Sequence, residues 1–356
     1  MLPILSTGGK RMSAKRVAAS PKLYLVVPAF NEEQVLLESL CVLESKLTQM
    51  IQSNAIAKES ALVLVDDGSS DRTWEIAKAH FDERYMRDPA LNSPPPPPIK
   101  SNQPQFLAIK LARNFGHQSA LLAGLHYALG KCDCAISIDC DLQQDEEKLI
   151  EFVEKFCNGA DVVLGVRNDR DTDSVFKKYS ALFFYKLMKV FGVKIVKNHA
   201  DYRLLSHRAL KALFQYGESN LFLRAIVLDI GLKQDIVYFD VKPRFAGESK
   251  YSLRKMLSFA WSGITSFSIA PLRFVSAVGG ALFVLSVLFG FYVLWVKIFT
   301  HQAVQGWTSL AVLLCFLSGV QLLSLGIIGE YIGKAYQEIK ARPKYIVKEM
   351  LRDADM

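Results

Sequence analysis

Several short signatures are missing from this chain, and each absence removes a class of chemistry. No CxxC and no HExxH occurs, so neither a dithiol redox pair nor a zinc-hydrolase helix is available. The first apolar run, Leu23–Val27, is not followed by GxGxxG, and no GxxxxGK[ST] is found; a dinucleotide dehydrogenase and a P-loop NTPase are excluded on that ground. The six cysteines (Cys41, Cys132, Cys134, Cys140, Cys157, Cys315) follow no framework spacing and read as reduced thiols of a reducing compartment. Lys10, Arg11, Lys15 and Arg16 precede no apolar h-region, so residues 1–21 are expected to be a short, flexible, basic lead-in rather than a secretory signal. Charge is itself absent from two stretches, Phe274 to Val296 and Trp307 to Gly329.

Those stretches hold much of the 51% hydrophobic content, and each has the ~20 residues needed to cross a bilayer. They predict transmembrane helices over 272–297 and 306–329. The connector Ile298–Gly306 carries no Lys or Arg, whereas the tail 330–356 carries Lys334, Lys340, Arg342, Lys344, Lys348 and Arg352. The positive-inside rule then puts the tail, and with it the N-terminal portion 22–250, on the cytoplasmic face of the membrane. Ahead of the first span, Leu253, Met256, Leu257, Ala260, Trp261, Ile264 and Phe267 recur at helical spacing, with Lys250, Arg254 and Lys255 elsewhere on the wheel. Residues 251–271 are therefore expected to lie as an amphipathic helix in the headgroup layer. Basic residues facing membrane lipids explain much of the net charge of +8 without invoking nucleic acid.

From Leu23 to Gly165 apolar runs alternate with helical patterns. Leu23–Val27, Leu62–Val65, Phe106–Leu111, Ala135–Ile138 and Val162–Gly165 read as strands; helices are expected at 71–80, 117–129 and 145–156. A further helix follows the first strand, with Asn31 as its cap and Gln34 at the capping-box position. This rhythm predicts an α/β domain with a mostly parallel sheet covered on both faces. Only the loop 88–104, with Pro94–Pro98, breaks it as an extended segment.

Ligands of open α/β sheets bind beyond the carboxyl ends of the strands. Acids crowd that edge: Asn31-Glu32-Glu33 after the first strand, Asp66-Asp67-Gly68-Ser69-Ser70-Asp71 after the second, Asp139-Cys140-Asp141 after the fourth. Asp139 and Asp141 project to the same side of an extended segment, and two such carboxylates repel unless a cation lies between them. All-oxygen ligation suits Mg²⁺ or Mn²⁺, which also bind substrate phosphates.

Taken together, Pro28–Glu33, Asp66–Asp71 and Asp139-Cys140-Asp141 resemble the inverting glycosyltransferases of family 2, with the Rossmann-like GT-A fold. Ala112-Arg113-Asn114-Phe115-Gly116, Asp201-Tyr202-Arg203-Leu204, Arg244–Tyr251, Gly329-Glu330-Tyr331 and Ala341-Arg342-Pro343 are similar to motifs of the polyprenyl-phosphate glycosyltransferases, the bactoprenol glucosyltransferases and dolichyl-phosphate mannose synthases. The resemblance covers about residues 22 to 348. It departs at the proline run and at Gln144-Asp145-Glu146, where many relatives have Pro-Pro-Glu; neither departure is expected to touch the metal ligands.

The resemblance implies that a sugar, glucose from UDP-glucose first among the choices, passes to undecaprenyl phosphate with inversion, in cell-envelope or lipopolysaccharide assembly. Pro28, Asn31, Glu33, Asp66, Asp67 and Arg113 would line the nucleotide-sugar cleft. Asp139, Asp141 and Gln143 would hold the metal and diphosphate, and Arg244, Ser249 and Lys250 would close on the diphosphate or the lipid phosphate. Asp201 is the family's candidate base, with Arg203 beside it; a phosphate nucleophile whose second pKa is ~6 has little need of one. Transfer of mannose or an N-acetylhexosamine, or a non-catalytic membrane scaffold, are the alternatives. A processive polysaccharide synthase would carry Gln-x-x-Arg-Trp, which is absent. Relatives also imply assembly as a homo-oligomer, a separate flippase and a downstream glycosyltransferase as partners.

Overall fold

The computed structural model describes residues 20–85, 103–168, 196, 198–218, 223–242, 270–300 and 306–352. The lead-in, Pro94–Pro98, nearly all of the expected interfacial helix, and Arg244, Ser249 and Lys250 lie outside these.

Eight strands form one sheet: β1 (Leu23–Ala29), β2 (Ala61–Asp66), β3 (Gln105–Leu111), β4 (Cys134–Ser137), β5 (Val162–Arg167), β6 (His199–Ser206), β7 (Gln234–Phe239) and β8 (Val347–Leu351). Their order across the sheet is β7-β5-β6-β4-β1-β2-β3-β8. Every residue of β1 and β2 is buried, as expected of central strands covered on both faces. Alternation along β1 divides two cores. Leu23, Leu25 and Val27 pack in one with Leu40, Leu43 and Leu47 of α1 (Leu36–Gln52), and with α2 (Thr73–Tyr85) and α4 (Leu149–Cys157). Tyr24 and Val26 pack in the other with α3 (His117–Ala128), α5 (His207–Leu213) and α6 (Leu223–Asp229).

The sheet is mixed and mostly parallel, as expected. β1 runs parallel to β2 and β4, β2 to β3, and β5 to β7. β6 is antiparallel to both β4 and β5, and β8 to β3. The β–α rhythm read from the sequence ends at β5; β6 enters after the connection 168–198, free of the directional constraint that a short βαβ crossover imposes.

The first helix also differs from expectation. It starts at Leu36, after Val35, which makes no side-chain cap bond. Asn31 cannot cap it, because Asn31 takes a left-handed backbone (φ 55°) and its side-chain oxygen is engaged by the next loop.

Beyond β7 come two long helices, α7 (Ala270–Thr300) and α8 (Trp307–Ile339). Their windows Leu272–Phe289 and Phe316–Ile339 are long and apolar enough to cross a membrane. At 1.5 Å per residue their 31 and 33 residues rise about 46 and 50 Å, against roughly 30 Å of hydrocarbon. Large apolar side chains stand open to the surroundings, among them Phe274, Phe291 and Leu322. α8 runs on past Gly329, where the uncharged stretch stops. The tail then re-enters the sheet: β8 pairs with β3, Ala112 N donates to Ile346 O (2.8 Å), the Trp74 indole to Glu349 (3.2 Å) and Lys344 Nζ to Tyr216 O (3.2 Å).

α3 lies so close to the central strands that a Cβ on Gly124 would meet Val26 Cγ1 at 2.3 Å and Val65 Cγ2 at 3.0 Å. Gly124→Val is expected to lose about 1–3 kcal/mol of stability by overpacking, read as a lowered melting temperature of the full-length chain in detergent.

Candidate functional site

Four strands deliver their carboxyl-side residues to one place. After β1, Asn31 and Glu33 stitch its loop to the one after β2. Asn31 Oδ1 accepts from Ser70 N (2.9 Å), Asn31 N donates to Ser69 Oγ (2.9 Å), and Glu33 Oε2 accepts from Arg72 N (3.2 Å). Pro28 is buried within β1, one residue before its end. Asp66 and Asp67 are buried too. Burial pushes both carboxyls up; the Ser69 bond opposes this for Asp66, and the Phe115 and Gly116 amides oppose it for Asp67. Those amides donate to the two Asp67 oxygens at 2.8 and 2.9 Å, so Asp67 fixes the start of α3. Gly68 makes that approach possible. Its φ is +68°, and a Cβ there would stand 2.4 Å from the Arg113 carbonyl carbon. Arg113 itself is exposed, stacked 4.0 Å over the Phe115 ring and bonded to Asn114 O (3.0 Å).

The fourth strand brings the acid pair. Asp141 Oδ1 accepts from Gln143 N (3.1 Å), and the turn is finished by Leu142 at φ 54°, a costly conformation for a bulky residue. Asp139 is gripped twice by the buried Gln144, whose Nε2 donates to Asp139 Oδ2 (2.5 Å) and whose Oε1 accepts from Asp139 N (3.1 Å). The departure from Pro-Pro-Glu therefore does touch an expected ligand, contrary to the sequence reading: an amide side chain can hold a carboxylate that proline cannot reach.

β6 lies beside β4 with Ser137 opposite Arg203; continued by two residues, that register sets Asp139 across from Asp201. His117, the first residue of α3, bridges them, its Nε2 3.6 Å from Asp139 Oδ1 and 3.7 Å from Asp201 Oδ2. Asp201 also accepts from Gln118 Nε2 (3.4 Å), from Arg203 Nη2, and from Arg224 of α6 through Nε (3.3 Å) and Nη2 (2.8 Å). Burial alone would raise the Asp201 carboxyl, but Arg224 and then Arg203 outweigh it and hold it well below the usual carboxylate range. Asp139 goes the other way. Desolvation pushes it up, His117 resists, and the negative charges of Asp201 and Asp141 add to the rise.

Among the expected residues, then, Asp139, Asp141, Gln143, Asp201 and Arg203 gather around β4 and β6, while Asn31, Glu33, Asp66 and Asp67 build the adjoining loops. Arg244, Ser249 and Lys250 are not described, but Lys242 N donates to Gln143 O (3.0 Å), so the chain leaves β7 beside the acidic turn. His117, Gln118, Gln144 and Arg224 were missed. His117 and Gln118 follow the carboxyl end of β3 and were open to the strand-end rule applied to the acids; Arg224 carries no sequence signal. Asp67→Asn is expected to cost about 1–3 kcal/mol, since an amide NH₂ would face one of the two backbone donors; thermal unfolding with and without nucleotide measures it.

Comparison with known proteins follows the same two parts. Residues 24–214 match glycosyl transferase family 2, and residues 270–335 match the GtrB C-terminal hairpin. The chain is 46% identical to the uncharacterized glycosyltransferase YkoT of Bacillus subtilis (strain 168), over 92% of each chain. It is 36% identical to a prophage bactoprenol glucosyl transferase homolog of Escherichia coli (strain K12), covering 92% of this chain and 99% of that one. To the bactoprenol glucosyl transferase of Shigella phage SfV it is 37% identical, over 92% and 98%. A family match over more than half the chain, followed by a match to the C-terminal hairpin, establishes that this chain belongs to glycosyl transferase family 2.

Proposed function

We propose that the protein transfers glucose from UDP-glucose to a polyprenyl phosphate, with inversion, at the cytoplasmic face of the cell membrane. The observation that carries this reading is the meeting of Asp139 and Asp201 about His117 at the carboxyl edge of the sheet, in a chain that then leaves as an apolar hairpin. Relatives named as bactoprenol glucosyl transferases, alike over nearly their full length, supply the sugar and the lipid.

The acidic turn fits a divalent cation. Asp139, Asp141 and the Gln143 amide oxygen offer oxygen donors only, and the negative charge crowded on Asp139 would be relieved by a cation. Among the described residues no group of three or more His, Cys, Asp or Glu side chains is placed to hold a metal ion, so water and substrate phosphate would complete the shell, as Mg²⁺ or Mn²⁺ prefers. When bound, the ion would neutralise the departing diphosphate.

The chain's own residues do the rest. Asn31, Glu33, Asp66 and Asp67 shape the two loops that receive the nucleotide. Asp201, held ionised by two guanidinium groups, is a poor proton acceptor and a good anchor. A lipid phosphate with a second pKa of ~6 arrives largely dianionic, so no base has to be built for it. Residues 22–250 form the catalytic domain, 251–271 the interfacial segment, and 272–297 and 306–329 the bilayer-spanning portions. The return of the tail to the sheet as β8 supports an even number of crossings, with both termini on the catalytic side.

Asp141→Ala should reduce transfer to undecaprenyl phosphate by at least ~10²-fold while the melting temperature stays put; full lipid labelling by that variant would point to a non-catalytic scaffold. For the wild type, the acid limb of kcat/KM for the lipid is expected near ~6, the phosphate's own pKa. A limb that moves with Asp201→Asn instead would return the proton to Asp201. Membranes given a panel of nucleotide sugars with undecaprenyl phosphate, read by product mass, test the choice of glucose.

A further inference from the structure

On β6, alternation places His199, Asp201 and Arg203 along one face of the sheet, the face covered by α3, α5 and α6. The cluster mixes charges: Arg203 and Arg224 both bond to the carboxylate of Asp201, and the Asp139 carboxylate acts on the two arginines as well. His199 adds no charge; burial, then Arg203 and Arg224, keep its ring neutral, and neither ring nitrogen has a hydrogen-bond partner. Arg203 is buried and its Nε and Nη1 also lack partners, so it cannot reach an incoming ligand without rearrangement. Of the three charged side chains Arg224 is the one that meets solvent: it is 34% exposed, against 9% for Asp201 and 1% for Arg203.

The order of strands says which anion belongs there. Across the sheet the sequence is β6-β4-β1-β2. The loops after β1 and β2 receive the nucleotide, and the acidic turn after β4 receives the diphosphate, if the function proposed above is correct. An in-line displacement needs its nucleophile on the far side of the sugar from the leaving diphosphate. On this edge the far side is β6, where α6 carries Arg224.

Resting on that function, we propose that Arg224 binds the phosphate of the lipid acceptor, its guanidinium oriented by Asp201, and so aims the nucleophilic oxygen at the sugar. A guanidinium fork suits this task, since it can hold Asp201 along one edge and present another to a phosphate, with charge-assisted bonds on both. The oxygen of the phosphate forms the new bond to the anomeric carbon as the bond to the diphosphate breaks, and the electron pair leaves with the nucleoside diphosphate. Asp201 is then a positioning residue, and the arginine is the group in contact with substrate.

The test uses the full-length protein in nanodiscs with UDP-glucose and undecaprenyl phosphate, comparing wild type with Arg224→Gln and Arg224→Lys. Arg224→Gln is expected to raise KM for the lipid phosphate by about 10- to 100-fold, with KM for UDP-glucose and calorimetric affinity for UDP changed less than about twofold. Arg224→Lys, which keeps charge but loses the fork, should recover part of the loss. An unchanged lipid KM in a variant that still binds UDP overturns the assignment, as does a loss that falls on UDP-glucose instead. Retained UDP affinity also shows that the variant is folded. A wild-type protein that labels no polyprenyl phosphate from any donor would overturn the proposed function and this inference together, so the two failures are distinguishable.

Discussion

One buried carboxylate organises this site. Asp201 sits where three separate pieces of chain meet: its own strand, the start of α3 through His117 and Gln118, and α6 through Arg224. Leaving that charge uncompensated in the interior would cost several kcal/mol, and the two arginines are what make its burial tolerable. The dependence is mutual, because Arg203 is buried and bonded to Asp201 through a single nitrogen. Removing the carboxylate would leave two cations facing each other. The arrangement is thus rigid by electrostatic necessity, which suits a site that must bring two anionic substrates together without letting their repulsion reshape it.

Much of the site around the loops after β1 and β2 was legible in the sequence, since its information is local. Buried apolar runs such as Leu62–Val65 announce a strand, and the acids that follow at Asp66-Asp67 fall at its carboxyl end by the geometry of any parallel sheet. The part of the site around β6 and α6 was not legible in the same way. Arg224 is 23 residues from Asp201, and its approach depends on how α5 and α6 fold back over the sheet. The direction of β6 escaped as well: every residue of the strand is buried, so its pattern carries no mark of parallel or antiparallel pairing.

Asn31 and Gln144 show a third kind of difficulty. Asn31 has the chemistry of a helix cap, yet it stands four residues before the cap position Val35 and its side chain joins two loops instead. Local propensity named the type of bond but not the partner. Gln144 was read as a departure from a family pattern of little consequence, whereas its amide matches the carboxyl and the backbone N–H of Asp139. In both cases a polar side chain settles the geometry of a loop at a strand's end, Asn31 that of the loop after β2 and Gln144 that of its own loop after β4.

The placement of the two outermost strands has a mechanical consequence. β7 and β8 form opposite margins of the sheet, and they are also the strands that precede and follow the helical hairpin along the chain. The hairpin is thus an insertion between the two margins of one plate. On the β8 side only residues 340–346 separate its second helix from the sheet, so that end of the helix is held on a short tether rather than hung on a long one.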